Sequence, residues 1–119
     1  MSYIDGFVVP VPAGNKDAYL SLSETMTAIF FELGATRVVE AWESDVPDGK
    51  VTDFRRAVQA KEDEKIVFSW IAWPSKEARD EGNRRLMADP RMKDMGATMP
   101  FDGRRMIFGG FDVALDKGA

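Results

Sequence analysis

The stretch Ile66–Trp73, IVFSWIAW, limits what this chain can fold into more than any other. It is rich in β-branched and aromatic residues and is closed by Pro74, so it reads as a strand. Side chains alternate between faces along a strand. Ile66, Phe68, Trp70 and Ala72 therefore point one way, and Val67, Ser69, Ile71 and Trp73 the other. Both faces are apolar. Tyr3–Val11 behaves similarly, with Tyr3, Phe7, Val9 and Val11 opposed to Ile4 and Val8. Arg104–Val113 sets Ile107, Phe111 and Val113 against Met106 and Phe108. A sheet with helices on one side and water on the other would alternate apolar with polar residues. This sheet needs a cover on its second face too, and a second copy of the chain is the expected one.

The remaining segments place that strand in an order. After Tyr3–Val11, PAGN makes a turn in which Gly14 or Asn15 can cap a helix. From Lys16 to Leu33 the residues Tyr19, Leu22, Met26, Ile29, Phe30 and Leu33 recur at helical spacing, and Gly34 stands where a glycine ends a helix. Thr36–Glu43 reads as a second strand, and Pro47-Asp48-Gly49 as turn chemistry. VTDFRRAV predicts one or two helical turns capped by Thr52 or Asp53, and QAKEDEK a solvated charged loop. After the third strand, Ser75 caps a helix that buries Ala78, Gly82, Leu86 and Met87, and Asp89-Pro90 restarts it until Gly96. The PFDG turn leads to the fourth strand, Arg104–Val113, and the tail ALDKGA reads as loose. The order is βαββαβ, an α+β ferredoxin-like fold with a four-stranded antiparallel sheet. At 119 residues the expectation is a single domain, 1–119.

Composition removes much of the possible chemistry. There is no Cys and no His, which excludes thiol nucleophiles, disulfides, imidazole acid–base catalysis and His-ligated haem. A metal would need oxygen ligands; no metal site and no cofactor is expected. The net charge of −4 works against nucleic-acid binding, which draws on basic patches. No apolar run reaches the ~18 residues of a membrane span, and the start MSYIDGFVVP lacks a basic leader region, so the expected setting is cytoplasmic, with no membrane partner.

GRRMIFGGF, Gly103–Phe111, invites a nucleic-acid reading that fails on inspection. Met106 stands where an RNA-binding strand carries Gly, and Phe108 and Phe111 fall on opposite faces. Its glycine pair does not lead into a helix N-terminus, so it is no phosphate loop. A bulge or close backbone approach is the simpler account.

The candidates for chemistry are charges where charges are costly. Glu40 shares a strand face with Val38 and Trp42, and Asp5 one with Tyr3 and Phe7. Each is either a general base or an acceptor for Arg37, Arg104, Arg105 or a partner subunit. Arg55 and Arg56 either clamp an anion or pair with Glu40, Glu43 or Asp53. The tryptophans either wall a pocket or fill the core. The candidate catalytic residues are Glu40 and Asp53; the candidate ligand contacts are Trp42, Phe54, Arg55, Arg56, Trp70 and Arg105.

The blocks DGFVVPVP, DVPDGKVTDFRRAV, VFSWI, WPSK, DPRM and MPFDGRRMI with the following GGF together resemble the YbaA-like bacterial family of unknown function, from about Tyr3 to Asp112. The resemblance implies the dimeric α/β-barrel superfamily, in which two ferredoxin-like subunits join their sheets around a shared core. It implies no activity for the family itself. Relatives in that superfamily include cofactor-free monooxygenases, isomerases and regulatory ligand-binding domains. The expectation is a homodimer with a pocket for a small aromatic or enolisable metabolite, acting as a cofactor-free oxygenase or isomerase. The alternative is a non-catalytic ligand-binding, regulatory or structural dimer.

Overall fold

A computed structural model describes residues 2–95 and 99–119. Strand β1 spans Tyr3–Pro12, β2 Arg37–Trp42, β3 Glu64–Trp73 and β4 Ile107–Asp112. Helices α1 (Lys16–Glu32), α2 (Phe54–Ala57), α3 (Lys76–Met87) and α4 (Arg91–Met95) lie between them. The sheet order is β2-β3-β1-β4 with every pairing antiparallel. This is the predicted α+β ferredoxin-like arrangement with a four-stranded antiparallel sheet.

The register fixes which residues share a face. Tyr3 pairs with Trp73, Phe7 with Ser69 and Val9 with Val67; Val38 pairs with Ile71 and Glu40 with Ser69. These side chains form the face that packs under α1, where Tyr19, Ile29 and Leu33 are buried. The opposite face carries Ile66, Phe68 and Trp70 from β3 with Ile107 and Phe111 from β4. Phe54 of α2 sits edge-on to Phe68 at 6.2 Å, and Phe68 meets Trp70 at 5.9 Å. Phe68, Ile107 and Phe111 remain exposed there.

Local chemistry sets the element ends. Helix α1 stops at a Schellman turn: Gly34 has φ +111°, its N–H donates to Phe31 O, and the Ala35 N–H donates to Phe30 O. Ser75 caps α3 by accepting from Ala78 N, and Asp53 caps α2 by accepting from Arg56 N. Asn15 occupies the cap position of α1 without a cap bond; its amide donates instead to Pro100 O at 2.8 Å.

Three expectations need correction. Strand β3 begins at Glu64, because Pro12 and Val11 pair with Glu64 and Lys65. The end of the charged segment is therefore sheet, and Glu64 is buried. Strand β4 begins at Ile107, not Arg104, because Arg104 and Arg105 are held in a turn on Asp102. Met87, at 85% exposure, is not part of the buried face of α3. The predicted stop at Gly96 lies outside the described residues.

Candidate functional site

Two residues four apart on α1 set up the site. That spacing stacks Tyr19 and Ser23 one turn apart on the helix stripe that faces the sheet. Beneath them, β2 presents Glu40, opposite Ser69 on β3. The Tyr19 hydroxyl donates to Glu40 Oε1 at 2.8 Å and the Ser23 hydroxyl to Oε2 at 2.7 Å. Both carboxylate oxygens thus accept from a neutral hydroxyl. No Lys or Arg forms an ion pair with Glu40 among the described residues.

This trio borders a cavity of about 340 Å³ between α1 and the sheet. Its floor is Phe7, Val9, Val38 and Ile71, and its roof is Leu22, Met26 and Phe30. Met92, Met99, Phe101 and Met106 line another side. Phe101 stands edge-on to Tyr19 at 5.6 Å. A neighbouring recess of about 330 Å³ shares Ser23, Thr27, Val38 and Glu40 with it and adds Leu20 and Glu24. Burial, then the charge and hydrogen bond of Glu40, push the Tyr19 phenol far above its usual range. It therefore stays a hydrogen-bond donor at physiological pH. An acceptor held by two hydroxyls inside an apolar chamber can hold a ligand O–H or N–H, or take a proton from an activated carbon.

Of the residues singled out from sequence, only Glu40 lines this cavity. Asp53 is the cap of α2; the N–H of Arg56, then that of Gly49, hold its carboxyl below the usual range. Arg55 binds Glu43 at 3.0 Å and Lys61 O at 2.8 Å. Arg56 pairs with Asp53 at 3.2 Å and reaches Gly49 O. Arg105 grips the buried Glu64 through both terminal nitrogens and also Asp102. Trp42 packs on Val9, Val11, Tyr19 and Val67 with Lys16 Nζ 5.3 Å above its ring. Phe54 and Trp70 belong to the opposite face of the sheet.

Asp5 is likewise absorbed into structure. Its partner is Arg79 of α3, not Arg37, Arg104 or Arg105: Arg79 Nε lies 3.2 Å from Oδ1, a charge contact without hydrogen-bond geometry. Trp73 Nε1 donates to Oδ2 at 3.1 Å, and Arg79 Nη2 donates to the Tyr3 hydroxyl at 2.8 Å. Burial raises the Asp5 pKa against the opposing pull of Arg79. Sequence reasoning missed Tyr19 and Ser23. The available signal was a hydroxyl pair at four-residue spacing on the buried stripe of α1, with an unexplained carboxylate on the adjacent strand.

Fold and cavity together define a class: a ferredoxin-like α+β chain with an apolar chamber between sheet and helix, containing one carboxylate. The chain belongs to the family described as a protein of unknown function, DUF1428, which matches residues 2–103. It is 60% identical over 117 residues to the uncharacterized protein YbaA of Escherichia coli strain K12, covering 98% of this chain and 100% of that one. The same figures hold for the uncharacterized protein YbaA of Shigella flexneri. Among solved structures, the chain resembles a mutant of SnoaB, a cofactor-independent oxygenase from Streptomyces nogalater. The TM-score is 0.53 at 14% identity, covering 97% of this chain and 93% of that one. At that identity the likeness is one of fold.

Proposed function

We propose that this chain is a cytoplasmic homodimer that binds a small aromatic or enolisable metabolite in the α1–sheet cavity, and that Glu40 acts there as general base in a cofactor-free oxygenase or isomerase reaction. One observation carries the reading: a carboxylate in a largely apolar chamber, oriented by Tyr19 and Ser23 and paired with no cation among the described residues. The fold shared with a cofactor-independent oxygenase supports it. In the proposed step Glu40 takes a proton from an acidic C–H or O–H, leaving the electron pair on the substrate as an enolate or phenolate. Isomerisation returns that proton at another carbon; oxygenation instead lets the electron-rich substrate react with dioxygen. Tyr19 and Ser23 are positioning residues that keep both carboxylate oxygens turned toward the chamber.

The second reading, a ligand-binding dimer without chemistry, draws on the same geometry, since both oxygens of Glu40 already accept hydrogen bonds. A thermal-shift screen on wild type and Glu40→Gln, followed by oxygen-uptake and product assays on the hits, separates the two. The expected result is a ligand whose stabilisation grows with concentration, with turnover falling by about 10²–10⁴ in Glu40→Gln. Full turnover in Glu40→Gln would remove the general base from the account. Binding without turnover in either protein would leave the non-catalytic reading.

A further inference from the structure

We infer that the cavity selects its ligand by charge: it takes an uncharged, largely apolar molecule that offers an O–H or N–H to Glu40, and it rejects organic anions. The inference rests on reading the cavity as a ligand site and adds what chemistry that ligand must have.

The polar inventory of the walls carries the argument. No Lys or Arg stands among the described residues that line the chamber or its neighbouring recess. The arginines that a carboxylate- or phosphate-bearing ligand would need are bound elsewhere, Arg55 on Glu43, Arg56 on Asp53 and Arg105 on Glu64. The hydroxyl protons of Tyr19 and Ser23 are committed to Glu40, so neither is a donor for a ligand anion. Thr27 and Ser69 add two more hydroxyls to the walls, neutral groups that bring no positive charge to offset a ligand's negative one. Glu40 itself, accepting one hydrogen bond at each oxygen, keeps further lone-pair capacity for a ligand donor. The recess adds a second carboxylate, Glu24. An anion entering this space would meet like charge between apolar walls, where water screens it poorly. An organic cation would find Glu40 in the chamber and Glu24 in the recess but would lose its hydration to walls made largely of hydrocarbon and thioether. A neutral ring system bearing one hydroxyl meets neither obstacle, and Phe7, Phe30 and Phe101 supply aromatic surface for it.

The test is isothermal titration calorimetry at neutral pH with naphthol, naphthoate and naphthylmethylamine, three probes sharing one ring system and differing in charge. Naphthol is expected to bind wild type, with naphthoate weaker by roughly a hundredfold and the ammonium probe weaker than naphthol. In Glu40→Gln the gap between naphthol and naphthoate should close to within about tenfold, since the repelling charge is gone. The wild-type ranking needs no variant, so it stands even if Glu40→Gln folds poorly. Naphthoate or the ammonium probe binding wild type as tightly as naphthol overturns charge selection while leaving the ligand site intact. An unchanged gap in a folded Glu40→Gln overturns the assignment to Glu40. No binding of any probe overturns both this inference and the ligand-site reading. Selective naphthol binding without turnover of any screened hit upholds charge selection and removes only the catalytic step.

Discussion

Gly110 pairs with Asp5 across β1 and β4, and a methyl group on it would run into the Tyr3 hydroxyl and the Arg79 guanidinium. Its neighbour Gly109 pairs with Gly6 on the opposite face, where the Phe111 ring lies over both glycines and an added Cβ would stand an ordinary 3.6 Å away. The two glycines of GRRMIFGGF therefore do different work. Gly110→Ala should destabilise the protein by about 1–3 kcal/mol through overpacking, whereas Gly109→Ala should stay within about 0.5 kcal/mol. Urea denaturation of the two variants side by side checks this, and equal losses would contradict it. The sequence supported a close backbone approach at this pair without showing which glycine made it, since the obstructing atoms come from β1 and α3. Glu40 and Asp5 teach the same lesson. Both were visible as charges in apolar strands, but their partners lie at long sequence separation, so only the folded chain separates the acid held by hydroxyls from the acid neutralised by Arg79.

The segment from Met99 to Met106 walls one side of the cavity and is tied down at several points. Asn15 donates to Pro100 O, and Arg105 binds Glu64, Asp102 and Gln59 O. Glu64 is 3% exposed and also accepts from Lys61 N at 2.6 Å. The Arg105 hydrogen bonds hold its carboxyl below the usual Glu value of 4.5. A depressed folded value means that this stabilisation is fully present above the unfolded value and is lost as pH falls through the folded one. Glu64→Gln should therefore cost about 1–2 kcal/mol at neutral pH, with the partial exposure of the pair discounted. Its stability should also decline less steeply than wild type below about pH 4.5. Chemical denaturation at neutral and acidic pH measures both effects; parallel curves for the two proteins would show that this carboxyl is not what acid attacks. The elements themselves were largely legible, because caps and period-2 or period-3.6 patterns are local. The misplaced starts of β3 and β4 have a tertiary cause: Glu64, which looked solvated, and Arg105, which looked like strand, share a buried ion pair, and Arg104 beside it is turned onto Asp102.

Across the whole molecule the sheet has one face under α1 and another that carries Phe68, Ile107 and Phe111 into solvent. Phe111 is 57% exposed, so replacing it asks little of the isolated subunit. Under the proposed assembly, light scattering after size exclusion should give twice the chain mass for wild type and the single-chain mass for Phe111→Glu, with unchanged far-ultraviolet dichroism. A monomeric wild type at micromolar concentration would refute the dimer. This two-faced pattern could be read from sequence because strand alternation is local. The cavity could not, because its walls come from six parts of the chain and its carboxylate is held by a helix that reads as ordinary core.

Four of the chain's seven methionines, Met26, Met92, Met99 and Met106, face that cavity. In a protein without cysteine they gather much of its oxidisable sulfur around one carboxylate. Conversion to sulfoxide would turn apolar wall into polar, chiral wall. A chamber built this way carries a redox liability: any reactive oxygen species formed beside Glu40 would spoil the surface that holds the ligand and leave a lasting chemical record of having been there.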